Sequence, residues 1–187
     1  MAEKRKNRNG LMSGFKASDL VFLDESGCNT DMTRRYAYSL GGSRAVDSAP
    51  LSKPRNTTIL SSIQLDGTLR YTTFSGGTTV ERFKRYLETD LLPHLNGDSV
   101  LVMDNMKSNH AKAVKNLLDS SGVRHIYLPP YSPDLNPIEK LWSKVKALLR
   151  KFKARTLDAL PNAIQNAFHS VTVSDCSGWF RFCGYAL

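Results

Sequence analysis

Residues 128–150 read LPPYSPDLNPIEKLWSKVKALLR. Pro129, Pro130 and Pro133 exclude a helix over the first part, because each ring fixes φ and extends the residue before it. A rigid connector is expected there. After Pro137 the pattern changes. Ile138, Leu141, Trp142, Val145, Leu148, Leu149 and Phe152 recur every three to four positions, which predicts a helix from Pro137 to about Lys153. Asn136 can cap this helix and Pro137 suits its first turn. Immediately upstream, Val123–Leu128 reads as a core strand. Ser99–Met103 reads as another, with a helix over Asn109–Leu118 between them, stopped by Gly122.

Further out, Leu20–Asp24 is a short apolar run ending in a carboxylate, a buried strand. Arg35–Leu40, Thr57–Gln64 and Leu69–Phe74 are rich in Tyr, Thr and Ile, and Asp66-Gly67 between the last two is a hairpin signal. This third of the chain predicts an antiparallel β-meander. Thr79–Leu92 carries apolar residues at helical spacing, and a last helix is predicted over about Leu157–Val171. A meander followed by strand–helix–strand–helix predicts an α/β fold, a mixed sheet with helices on its faces. Residues 1–17 are basic and polar, a tail or linker stub, and 18–187 form one domain.

The chain has 187 residues, 26 Lys and Arg against 17 Asp and Glu, and a net charge of +9. That balance favours a polyanionic partner over a neutral metabolite. The longest apolar runs, Leu20–Leu23 and Val100–Met103, are far short of the roughly 20 residues a membrane helix needs. Cys28, Cys176 and Cys183 are an odd number and read as reduced thiols of a cytosolic protein.

Two predicted core strands end in carboxylates, Asp24 and Asp104. If the strands are neighbours, these groups repel each other unless a cation sits between them. An all-oxygen ligand set suits Mg²⁺ or Mn²⁺. Glu139, in the first turn of the long helix, can lean over the same strand ends. Two such ions about 4 Å apart clamp both the attacking and the leaving oxygen of a phosphodiester displacement. Each member also has a plainer reading. An Asp closing a strand is commonly a turn residue. Glu139 follows Asn136 by three, in capping-box position. Asp134 is a rival third carboxylate. Trp142 lies on the apolar stripe and reads as core; Tyr131 reads as packing before base stacking.

The whole set forms a pattern. LPPYSPDLNPIEKLWSKVKALLR closely resembles the hallmark of the DDE transposases that unite bacterial insertion sequences with mariner-type elements. FLDESGCNT (22–30) resembles their first-Asp motif, VLVMDNMKSNH (100–110) their second, and GWFRFCGY (178–185) a motif near their C-terminus. Asp104 and Glu139 are 35 positions apart, similar to the family's interval. The resemblance implies an RNase H-like mixed sheet and a metal-dependent polynucleotidyl transferase. It cuts DNA at transposon ends and transfers the 3′-hydroxyl strand to target DNA. By this resemblance Asp24, Asp104 and Glu139 are the catalytic triad and hold two Mg²⁺ or Mn²⁺ ions. Asn105 and His110 match family positions beside the second Asp, where they would orient substrate or ligands; a hydrogen-bonded structural histidine is the alternative reading of His110. The implied partner is double-stranded DNA, in a homodimer, in the cytoplasm of a bacterium at its nucleoid. Such proteins begin with helix-turn-helix domains, and nothing before residue 20 forms one. An upstream DNA-binding half, in cis or in trans, is therefore expected. A nuclease without strand transfer, or an inactive nucleic-acid-binding remnant, are the alternatives.

A DNA substrate also fits the charges. Lys140, Lys144, Lys146, Arg150, Lys151, Lys153 and Arg155 stand against one acidic residue over 138–155. A solvated face ordinarily mixes signs, so phosphate contact is expected. Arg34 and Arg35 open a second basic stretch that continues to Arg44, Lys53 and Arg55.

Overall fold

The computed structural model describes residues 14–34, 36–50, 53–105 and 111–186. His110, Arg35 and most of the expected basic tail lie outside them. Five strands form one sheet: β1 (Leu20–Asn29), β2 (Asn56–Ile63), β3 (Leu69–Ser75), β4 (Val100–Met103) and β5 (Arg124–Tyr127). Their order is β3-β2-β1-β4-β5. β1, β2 and β3 pair antiparallel, while β1–β4 and β4–β5 are parallel. This is the mixed RNase H-like sheet that the sequence predicts. Gly67, in the β2–β3 hairpin, has a φ of +88°, a conformation that suits glycine.

Strand alternation divides the core into two layers. Leu20, Phe22, Val100 and Val102 face one side. There they meet helices α3 (Ile138–Phe152), α4 (Ala159–His169) and α5 (Val173–Phe182). Val21, Leu23, Leu101 and Met103 face the other side, against α1 (Val80–Tyr86) and α2 (Lys112–Ser121). Helix α1 continues into a π turn over Leu87–Leu91, burying Leu87 and Leu91. Helix α2 ends at Gly122 in the left-handed region, φ +70°, the C-cap that the sequence signals.

Several expectations need correction. Residues 36–40 form no strand; Tyr36, Tyr38 and Leu40 are 88–104% exposed. β2 takes the antiparallel edge of β1 and β3 the far edge of β2, and the 36–40 segment pairs with neither. The Asn136 side chain does not cap α3, which begins after Pro137 without a side-chain cap. The last predicted helix is present as α4, and a further helix, α5, follows it after a capping box at Thr172 and Asp175. α5 carries most of the GWFRFCGY motif. Phe180 and Tyr185 pack on Phe22 with ring centroids 5.3 and 5.2 Å away. The Tyr185 hydroxyl donates to the Leu135 carbonyl at 2.7 Å. The C-terminal motif thereby holds the connector that leads into α3.

Candidate active site

The parallel register of β1 and β4 creates the site. Leu23 pairs with Met103, the last pair of the ladder. Asp24 and Asp104 are the next residues, so they stand side by side roughly 5 Å apart; Asp104 follows β4 directly, but Asp24 does not close its strand as the sequence suggested, since β1 continues along β2 to Asn29. By alternation both belong to the face that carries Phe22 and Val102, under α3. The crevice outside the carboxyl ends of parallel strands is the usual ligand position of open α/β sheets.

A groove of about 470 Å³ opens there, lined by Asp24, Asp104, Asn105, Asn136 and Glu139 and by the connector from Leu128 to Pro133. Asp134 is not in its wall. The Leu128 N–H donates to the Met103 carbonyl at 2.8 Å, anchoring the connector at the strand ends. Tyr131 is held at φ +58°, a costly conformation for a bulky residue. Tyr131 is 85% exposed at the groove, which corrects the packing expectation.

Asp24 is half-buried, and its carboxyl is pushed up to about 7. Burial is the main cause, and the charges of Asp104 and Glu139 add to it. The Glu25 N–H at 2.7 Å and the Trp142 Nε1–H at 3.2 Å oppose the rise by donating to the carboxylate. Glu139 is exposed on the first turn of α3, on the rim of the same groove. Among the described residues no three His, Cys, Asp or Glu side chains stand close enough together to hold a metal ion. The donor chemistry nonetheless fits a hard divalent cation. Three carboxylates share one groove, and their mutual repulsion shows in the raised pKa of Asp24.

Trp142 was readable only as core. It is 4% exposed, and it also holds the Asp24 carboxylate from the next turn of α3 after Glu139. The signal available was its place three residues after Glu139, on the same helix face. Trp142→Phe should lose that bond and leave a small cavity. A loss of about 2 kcal/mol is expected, a fall in Tm of roughly 4–8 °C by thermal unfolding. The loss should shrink in an Asp24→Asn background. An undiminished loss there would place Trp142's contribution in packing alone.

The basic residues of α3 and of the turn that follows it separate into two groups. Lys144 donates to Asp175 at 2.5 Å and to the Ser170 carbonyl at 3.0 Å. Lys153 pairs with Asp47. Arg155 donates to the Met32 and Ser48 carbonyls at 3.1 and 3.4 Å. Lys140 lies over the Phe182 ring at 3.9 Å. These four are engaged within the chain. Lys146 and Arg150 instead line a second cavity of about 640 Å³ with Asn29, Thr57 and Thr58, and Lys151 is exposed. Arg34 is exposed too, close enough to Asp47 to help lower its pKa.

Comparison with known proteins agrees with this geometry. The Transposable element Tc1 transposase of Caenorhabditis elegans is 41% identical over 54 residues, 27% of this chain and 20% of that protein. The Mos1 pre-cleavage transpososome structure superposes with a TM-score of 0.77 at 20% identity, covering 96% of this chain and 58% of that one. The Mos1 mariner paired end complex with Mn gives 0.76 at 21%, covering 96% and 58%. The chain thus spans about a fifth of the Tc1 protein and just under three fifths of the Mos1 chain. These likenesses show a shared fold. The family model described as DDE superfamily endonuclease matches residues 19–161. That range runs from the start of β1 past the end of α3 and so contains Asp24, Asp104 and Glu139. With four ordered motifs, a mixed sheet and a carboxylate-lined groove in agreement, the chain belongs to the DDE superfamily endonuclease family.

Proposed function

We propose that this chain is the catalytic domain of a transposase that cleaves DNA at transposon ends and joins the freed 3′-hydroxyl to target DNA. The observation that carries this reading is that Asp24, within β1, and Asp104, just after β4, each follow the last β1–β4 pair Leu23↔Met103 and line one groove with Glu139. Asp24, Asp104 and Glu139 are the residues that hold two Mg²⁺ or Mn²⁺ ions. Bound there, the ions supply the Lewis acidity that sharpens the nucleophile and stabilises the leaving oxygen. Trp142 and the Glu25 N–H fix the Asp24 carboxylate in its ionised, ligating orientation. Asn105, in the wall of the groove, and His110 are the residues that orient substrate or ligands. The connector, with three prolines and Tyr131, presents a rigid wall to the DNA. The active complex is a homodimer completed by an upstream DNA-binding half, working at the bacterial nucleoid.

Metal-dependent nicking, beside a joining assay on a pre-cleaved end with the DNA-binding half supplied in trans, tests this reading. Hydrolysis without joining would leave a nuclease. DNA binding without either reaction would leave a binding remnant. The backbone-binding residues are Lys146, Arg150 and Lys151, with support from Arg34 and Arg35. Replacing the first three with Gln should weaken binding to DNA of any sequence and flatten the salt slope by up to about 0.9 per lost contact. Lys144→Gln and Lys153→Gln should act mainly on stability. If gel-shift titrations show equal slope losses for both sets, the division drawn between them is wrong.

A further inference from the structure

Asn136 combines three observations. It is 4% exposed. Its amide oxygen is shut off from water with no hydrogen-bond partner. It lines the groove that holds Asp24, Asp104 and Glu139. An Asn just before a helix ordinarily gives its side-chain oxygen to the first-turn N–H groups. Here only its backbone serves the turn: its N–H donates to the Pro133 carbonyl and its carbonyl accepts from the Glu139 N–H at 3.1 Å. The backbone is fixed, the side chain is buried, and the amide oxygen is left without a donor. A buried acceptor in that state is a standing penalty in the DNA-free protein.

The surroundings restrict what can relieve it. Ionised carboxylates carry only acceptors, and so does a phosphodiester. Close to the reacting phosphate, the donor that such chemistry brings is the O–H of the nucleophile. We propose that the Asn136 amide oxygen accepts this O–H when DNA fills the groove, after a small rotation of the amide. The donor is water during strand cleavage and the DNA 3′-hydroxyl during joining. This rests on the transposase reading of the groove. In either reaction the nucleophile's oxygen bonds to phosphorus and the bond from phosphorus to the departing O3′ breaks. O3′ takes a proton from water, and the nucleophile's proton passes to water. Asn136 aims the attacking lone pair and exchanges no proton.

The test is Asn136→Leu, nearly isosteric but without an acceptor, with Asn136→Ala as the second variant should Leu not fit. Three readings are taken on the full chain: Tm without DNA or metal, DNA affinity by gel shift, and single-turnover rates of hydrolysis and joining. At least one variant should keep or raise the Tm, since removing an unsatisfied acceptor costs the fold nothing. DNA affinity should stay within about two-fold. Both rates should fall roughly 10- to 100-fold, the loss of one hydrogen bond to a reacting group. Loss of joining with hydrolysis intact would confine the role to the 3′-hydroxyl, and the reverse to water; either supports the contact. A Tm loss in both variants would show that the amide has a structural partner and overturn the proposal. Wild-type rates in a folded variant would overturn it as well. A wild-type chain with no metal-dependent cleavage when the DNA-binding half is supplied in trans overturns the transposase reading and this one with it. An active wild type beside a fully active Asn136→Leu overturns only the role of Asn136.

Discussion

Glu139→Gln should bring metal-dependent nicking to background while DNA binding is kept or strengthened. The substitution preserves size and hydrogen bonding and removes one ligating charge. Transition-state stabilisation by a divalent ion is worth several kcal/mol, so a loss of about 1,000-fold or more is expected. Asp104→Asn should do the same. Binding should not suffer, because a negative charge facing phosphates has been removed. Glu139 is exposed on the first turn of α3, so the fold should tolerate the change, and Tm should stay within a few degrees. Nicking by Glu139→Gln at the wild-type rate would exclude Glu139 from the site. Asp134 would not inherit the role easily, since it is absent from the groove wall.

How far the sequence is legible follows from the range of each interaction. Apolar periodicity revealed α3 and the buried strands because those patterns repeat within a few residues. The approach of Asp24 to Asp104 was readable only as a condition, that the two strands be neighbours. The parallel register Leu23↔Met103 meets that condition. The bond from Trp142 to Asp24 spans 118 positions, and no local pattern signals it. The same holds for the charges on α3. Seven basic residues look alike in sequence, yet Lys144 and Lys153 are neutralised by Asp175 and Asp47, which lie on distant segments. Residues 36–40 show the reverse error: strand-forming residues without a partner strand stay irregular and exposed. Asn136 and Glu139 fit a capping box by spacing, yet the side chain of Asn136 turns away from that role. The box that forms lies at Thr172 and Asp175. Spacing reports only which groups can meet, and packing decides which do. The GWFRFCGY motif gains its reason from contacts with Phe22 and Leu135, which lie on separate segments far upstream of it.

Stability should depend on pH and metal through Asp24. Its folded pKa is about 7, against an ordinary 3.8. The folded state therefore holds a proton that the unfolded chain has released between about pH 4 and 7. More protons bound in the folded state means that stability falls as pH rises through this window, and stays reduced above it. The full shift corresponds to a few kcal/mol at most, and solvent reaching the half-buried carboxyl lowers that figure. Without metal, the Tm of the wild type should fall by several degrees more than that of Asp24→Asn between pH 5 and pH 8. Mg²⁺ binds the ionised form, so its stabilisation should be larger at pH 8 than at pH 5, where a proton must first leave. Asp24→Asn should be more stable than wild type at pH 8 without metal, because burial and the neighbouring carboxylates no longer oppose a charge. Its Tm should respond little to Mg²⁺ at either pH. Parallel pH profiles for the two proteins would show that Asp24 does not titrate in this range. An equal Mg²⁺ response would show that the ion binds away from the β1–β4 strand ends.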